Sequence, residues 1–237
     1  MKIALIGYGS MGHVVESRAA AEGHGIATVV NEHHTHLPAE SLSESLRAAD
    51  VAIDFSAAKA VRRNVEACLA AGVPLVEGTT GWQGERDEIE RMVTEAGGAM
   101  IFGANFSIGV NLYFRVVEYA ARLFSKFPEY EPFIEEQHHS QKKDAPSGTA
   151  LKLKELVGRH IESGFTVTST RAGRIPGTHR VGFDGPAEQI LIEHIARNRE
   201  GFAAGAIMAA GWILGKKGFF EFTEVMDDIS KNASPGR

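Results

Sequence analysis

The run Glu136-Gln137-His138-His139-Ser140-Gln141-Lys142-Lys143-Asp144-Ala145-Pro146-Ser147-Gly148-Thr149-Ala150 holds two imidazoles, an ammonium group and a polar turn that opens a helix. A histidine near its ordinary pKa can donate a proton at neutral pH, which makes His138 a candidate acid. Alternation along a strand would turn His138 and His139 to opposite faces, so the two take different jobs. Lys142 can bring positive charge to a carboxylate or to developing anionic charge. Ser147, Gly148 and Thr149 lie at the helix start, where free backbone amides can hold a carboxylate. Any one of these residues fits a solvated basic turn with a helix cap. The whole run fits better a small anionic substrate undergoing proton transfer. Glu135 and Glu136 lie beside the histidines, but no partner set of the HExxH or CxxC type accompanies them, so no metal is expected.

A second candidate lies at the amino terminus. Gly7-Tyr8-Gly9-Ser10-Met11-Gly12 follows a short apolar run and opens a helical pattern, the context of a dinucleotide fingerprint. Gly7 permits the tight turn, Gly9 lets the backbone approach a pyrophosphate, and Gly12 allows close helix–strand packing. Tyr8, Ser10 and Met11 complete the expected cofactor loop, where helix amides and dipole favour phosphates. An acidic residue about twenty positions on would bind the adenine ribose. The chain offers Asn31-Glu32 there. Glu32 favours NADH, and no arginine stands in this turn for a 2′-phosphate. The lean is to NADH, with NADPH left open. Ser56, Gly78-Thr79-Thr80 and Ala104-Asn105-Phe106 each follow an expected strand of the same sheet, where open α/β sheets bind ligands. Ordinary turns would have the same spacing. His33, His34 and His36 read as a solvated loop.

The elements that must position these groups change character along the chain. Strands expected at 2–6, 26–30, 51–55, 74–76 and 99–102 alternate with helices at 12–22, 57–71 and 85–96. Ser56 is placed to cap the second helix and Gly72 to end it. This alternation predicts a doubly wound parallel sheet with helices on both faces. After residue 107 the pattern shifts. A helix is expected over 109–127, with Leu112, Val116, Tyr119 and Leu123 at helical spacing. A strand at 131–139 and a helix at 149–161 follow. Strands at 165–171, 179–183 and 189–196 then come without helices between them, which predicts a mixed sheet in a smaller α+β domain. A helix near 202–214 and a short tail complete the chain.

Composition narrows the class. The 237 residues carry a net charge of −5 and a pI near 6.1, which argues against nucleic acid or an anionic membrane as partner. The single Cys68 cannot form an internal disulfide. The apolar run at residues 3–6 is too short for a secretory signal, and 202–214, about thirteen residues, is too short to span a bilayer. The expected location is cytoplasmic.

The run 136–150 resembles the E-x-H-H-x-x-K-x-D-A-P-S-G-T-A signature of the 4-hydroxy-tetrahydrodipicolinate reductase (dihydrodipicolinate reductase) family. Further matches are the glycine fingerprint, Asp54-Phe55-Ser56, Gly78-Thr79-Thr80-Gly81, Ala104-Asn105-Phe106-Ser107-Ile108-Gly109-Val110-Asn111, Arg171-Ala172-Gly173, Pro176-Gly177, and His194 with Arg199 before Phe202-Ala203. The resemblance implies a Rossmann-type cofactor domain, expected at 1–107 and 215–237. It implies a substrate-binding and tetramerisation domain at 108–214 and a homotetramer. The implied reaction reduces the dehydrated cyclic imine of 4-hydroxy-tetrahydrodipicolinate to tetrahydrodipicolinate with NADH or NADPH, a step of diaminopimelate and lysine biosynthesis. By motif position His138 is the proton donor, and Lys142 a second donor or charge stabiliser. His139, Ser147, Gly148, Thr149 and Arg199 bind the dicarboxylate. The fingerprint is one residue shorter than the family's commoner GxxGxxG, and Asn31 stands at or beside the acidic position. These departures bear on which cofactor is preferred. Another two-domain nicotinamide dehydrogenase would have no reason for the HHxxK and SGTA combination. A non-catalytic nucleotide sensor would have no need of His138 and Lys142.

Overall fold

The computed structural model describes residues 1–34 and 36–232. In chain order its elements are β1 (Lys2–Ile6), α1 (Ser10–Ala21), β2 (Gly25–Val30), α2 (Ala39–Leu46), β3 (Val51–Asp54), α3 (Val61–Ala71), β4 (Leu75–Glu77), α4 (Arg86–Glu95) and β5 (Ala99–Phe102). Then come α5 (Ile108–Phe124), β6 (Glu131–His138), α6 (Gly148–Gly158), β7 (Thr166–Arg171), β8 (Thr178–Asp184) and β9 (Gln189–Ile195). The chain continues through α7 (Glu200–Ile213), β10 (Gly218–Glu221) and α8 (Phe222–Asn232). Two compact units result, one of Met1–Ile108 with the chain from Arg199 onward, the other of Gly109–Asn198.

The first unit is a six-stranded parallel sheet in the order β10-β5-β4-β3-β1-β2. Strands buried on both faces can be apolar throughout, and side-chain alternation divides them between two cores. Ile3 and Leu5 pack with Val15 and Ala19 of α1, Ala206 and Ala210 of α7, and Val225 of α8. Ala4 and Ile6 pack on the other face with Leu42 and Leu46 of α2, Val65 of α3 and Ile89 of α4.

Three elements differ from expectation here. α2 lies in a stretch where none was foreseen, since it presents little more than Leu42 and Leu46 as an apolar stripe. The expected tail supplies the edge strand β10, paired with β5, and helix α8. The helix α7 belongs to this unit, which corrects the expected 108–214 boundary. Its small residues let it press on the sheet. A Cβ added at Gly205 would sit 1.8 Å from the Phe106 carbonyl oxygen.

The second unit holds a four-stranded mixed sheet in the order β7-β6-β8-β9. β6 runs parallel to β7, while β8 is antiparallel to both β6 and β9. Tyr113, Val117 and Ala121 of α5 and Leu153 and Val157 of α6 cover one face, on Ile134, Val181 and Phe183. The expected apolar stripe of α5 is turned the other way. Leu112, Val116, Tyr119 and Leu123 are exposed, and the buried face carries Asn111 as well. On the sheet's outer face Leu191 is 53% and Ile195 57% exposed. Among the described residues no helix is long and apolar enough to cross a membrane.

Candidate active site

In the first unit, strand order reverses between β1 and β3, the point at which doubly wound sheets bind nucleotides. The loops after β1, β3 and β4 line a groove of about 410 Å³ through Gly9, Ser10, Met11, Ser56, Gly78, Thr79 and Thr80. A second groove of about 850 Å³ is walled by Gly7, Tyr8, Asn31, Glu32, Lys59 and Arg63. Gly7 has φ +85°, and a Cβ there would lie 2.4 Å from the Phe55 carbonyl oxygen. A Cβ at Gly9 would meet nothing within 4 Å, which leaves the loop backbone open to a ligand. These residues fit a dinucleotide. Lys59 and Arg63 went unseen in the sequence because they come from beyond the β2 turn. Only the path after β3 brings them to Glu32.

Asn31, in the wall of the second groove, accepts from His33 N at 3.1 Å and lies 2.9 Å from His34 Nδ1, which fixes the turn after β2. Other expected cofactor residues are tied up elsewhere. The Phe106 ring is buried against Phe222 with centroids 4.6 Å apart, so its side chain belongs to the core. Asn105 Oδ1 accepts from Ser107 N at 2.8 Å, and Ala104 beside it is exposed. Ser56 does not cap the next helix as expected. Its amide donates to Asp54 Oδ1 at 2.8 Å and Thr79 Oγ1 at 3.0 Å, while α3 starts at Val61 without a side-chain cap.

Beneath these loops lies an acid pair. Asp54 and Glu77 are in register on β3 and β4 and fully buried. Asp54 accepts from Asn64 Nδ2 at 2.6 Å as well as from Ser56, while Glu77 Oε1 accepts from Thr79 N at 2.7 Å. Glu77 Oε2 is buried without a hydrogen-bond partner. Burial first, and the neighbouring Asp54 second, push the Glu77 carboxyl well above its ordinary value. Burial raises the Asp54 carboxyl as well, with its hydrogen bonds from Ser56 and Asn64 opposing the rise.

In the second unit, strand register assembles a row of polar side chains. Glu136 and His138 share the inner face of β6. β7 sets Ser169 beside Glu136 and Arg171 beside His138; β8 sets His179 opposite Glu136, and β9 sets His194 opposite His179. Glu136 Oε1 accepts from Ser147 N at 3.0 Å, Ser169 Oγ at 2.7 Å and Arg171 Nη2 at 2.7 Å. Burial alone would raise its pKa, but these hydrogen bonds outweigh that and hold it at about 2. His138 Nε2 lies 3.3 Å from both Glu136 Oε2 and His179 Nε2. Burial lowers the pKa of His138, with Lys142 and Arg171 adding to the effect against the pull of Glu136. Burial and the neighbouring His138 take His179 to about 4.

The remaining expected site residues divide. Lys142 Nζ pairs with Asp144 Oδ1 at 2.8 Å. His139 lies past the end of β6, partly exposed. Gly148 and Thr149 open α6 with their amides at the helix start. Ser147 is buried, its amide given to Glu136 and its hydroxyl 3.2 Å from both Ala150 N and His179 Nε2. It shapes the site as a helix cap and is not a free donor to an anion. Arg199 lies in the first unit, where its guanidinium donates to Ser10 Oγ at 2.5 Å. Glu136, Ser169, Arg171, His179 and His194 were missed as site residues. Glu136, Arg171 and His194 stand in the stretches that match the family, and Glu136 also recurs with His138 at period two; Ser169 and His179 leave no such trace.

A dinucleotide groove at the switch point of a doubly wound sheet, with a second unit carrying an imidazole–carboxylate cluster, defines a two-unit nicotinamide-dependent oxidoreductase. Residues 1–106 match the family model described as dihydrodipicolinate reductase, N-terminus, and 109–226 the one described as its C-terminus. The chain belongs to the dihydrodipicolinate reductase family. It is 34% identical to the 4-hydroxy-tetrahydrodipicolinate reductase of Christiangramia forsetii, over 98% of this chain and all of that one. It is 35% identical to the enzyme of that name from Archaeoglobus fulgidus, over 97% and 99% of the two chains. A dipicolinate-bound dihydrodipicolinate reductase from Paenisporosarcina sp. TG-14 shares the fold, with a TM-score of 0.76, 22% identity and coverage of 93% and 97%.

Proposed function

We propose that this protein reduces the dehydrated cyclic imine of 4-hydroxy-tetrahydrodipicolinate to tetrahydrodipicolinate, in diaminopimelate and lysine biosynthesis. What carries the reading is the inner face of β6, where His138 stands beside a carboxylate held ionised, near Lys142 and the open start of α6. The nicotinamide cofactor supplies the hydride. Gly7, Gly9, Gly12, Ser10, Gly78, Thr79 and Thr80 hold it, and the turn Asn31-Glu32 takes the adenine ribose. Lys59 and Arg63 bring charge suited to a 2′-phosphate into the same groove, so both NADH and NADPH serve. The amides of Gly148 and Thr149 hold one substrate carboxylate, with His139 beside them, and Lys142 stabilises negative charge. His138 gives the proton. Its acid form is disfavoured in the free protein, and a dianionic substrate beside Lys142 restores it. The enzyme works in the cytoplasm as a homotetramer through its second unit.

The test follows oxidation of NADH and of NADPH, with substrate generated from pyruvate and aspartate semialdehyde by the synthase that condenses them. Substrate-dependent oxidation of both cofactors is expected. Folded protein that binds cofactor yet oxidises neither would overturn the assigned reaction.

A further inference from the structure

We propose that Glu136, His138 and His179 form a three-donor site for a divalent transition metal, zinc foremost, whose occupation blocks proton donation by His138. The donor atoms converge. Glu136 Oε2 and His138 Nε2 are 3.3 Å apart, the two histidine Nε2 atoms 3.3 Å, and Glu136 Oε2 and His179 Nε2 3.7 Å. Zinc bonds of about 2.0–2.1 Å in a tetrahedron place ligand atoms about 3.4 Å from one another, so the three form one face of such a site. Two imidazoles and a carboxylate are a donor set that zinc takes in catalytic centres, where the fourth position stays open. Ser147 Oγ lies beside the cluster, 3.2 Å from His179 Nε2.

The surroundings also suit a metal. All three side chains are buried, and Glu136 Oε2 has no hydrogen-bond donor. Its other oxygen takes Ser147 N, Ser169 Oγ and Arg171, which fixes the carboxylate with Oε2 aimed at the two rings. The far side of the His138 ring hydrogen-bonds the Pro176 backbone and lies against Gly177, leaving Nε2 for the cluster. Donors that hold a ligating carboxylate and backbone groups that bond the far nitrogen of a ligating histidine are the usual outer shell of a metal site. Arg171 Nη2 bonds Oε1 at 2.7 Å, which leaves Oε2 to the two rings. The blocking clause rests on His138 being the proton donor; the binding clause does not.

The experiment uses the full-length chain stripped of metal by chelation. Cobalt(II) is titrated in while the visible absorbance is followed, and zinc-loaded protein is examined by X-ray absorption. One cobalt per chain is expected, displaced by one zinc, with two imidazoles among nitrogen and oxygen ligands at about 2.0–2.1 Å. His179→Asn should weaken binding by more than about a hundredfold, beyond what loss of an outer-shell contact costs. His160→Asn, in the surface pair with Glu118, should titrate like the parent. Fewer than two imidazoles around zinc, or a His179→Asn protein that binds as the parent does, would overturn the site. Should His179→Asn not fold, the absorption spectrum of the parent protein decides alone. Zinc should also stop turnover, reversibly on chelation. Tight binding at this site with full turnover would refute the proton-donor role while leaving the site in place.

Discussion

At the scale of single residues, the chemistry rests on how strand neighbours set one another's charge. Glu136 stays ionised in a buried position because Arg171, Ser169 and the Ser147 amide all donate to one of its oxygens. Removing that charge leaves Arg171 without its buried partner, and breaking such a pair costs about 3–5 kcal/mol. Glu136→Gln should lower the urea midpoint accordingly, with an unchanged slope. His138→Ala should lower turnover by roughly two to four orders of magnitude, the usual contribution of a general acid. Cofactor affinity, read by nicotinamide fluorescence, should not move. Lys142→Ala should both raise the KM and lower kcat. His138 and Lys142 could be read directly from the sequence, because the signature carries them within one short run. His179 and Ser169 could not, and Arg171 only as part of a match to the family, without its role. Their place beside Glu136 depends on the register of three strand pairings, and register leaves no local mark in a chain.

At the scale of elements, the loops and caps that shape the sites are tied down by buried acids and hydroxyls. The loops after β3 and β4 meet over Asp54 and Glu77. Folding favours the protonated form of Glu77, so the native state loses stability as pH rises from the ordinary carboxyl value of 4.5 toward the raised one. Glu77→Gln has no proton to lose and should decline less, with only the raised Asp54 carboxyl remaining. Its melting temperature relative to the parent should climb steadily across that range, and a constant difference would refute the raised Glu77 carboxyl. Ser147→Ala should cost about 1 kcal/mol through the lost cap of α6. The parallel strands were legible as short apolar runs, with glycine next after β1, β4 and β5, and Gly72 closes α3 with φ 71° as expected. α2 was hidden by its polar Ser and Glu residues. α5 misled because its regular apolar stripe is the exposed one, while Val110, Asn111, Tyr113, Val117 and Ala121 are inside.

At the scale of the whole molecule, the outer face of the four-stranded sheet tests the proposed assembly. Leu191 and Ile195 point the same way as Gly182 and Thr178, their partners on β8, and with Phe133 over Gly182 they make that face apolar in part. A Leu191→Glu and Ile195→Glu double variant should sediment as a smaller species than the parent. Sedimentation unchanged by both charges would remove that face from the interface.

The return of the chain through α7, β10 and α8 has a consequence for biosynthesis. Residues 1–108 emerge from the ribosome first, yet one face of their sheet is covered by helices from the end of the chain. The intervening 109–198 has its own helices and its own core. The part translated second can thus mature before the part translated first, which must wait, half-clothed, for the last forty or so residues.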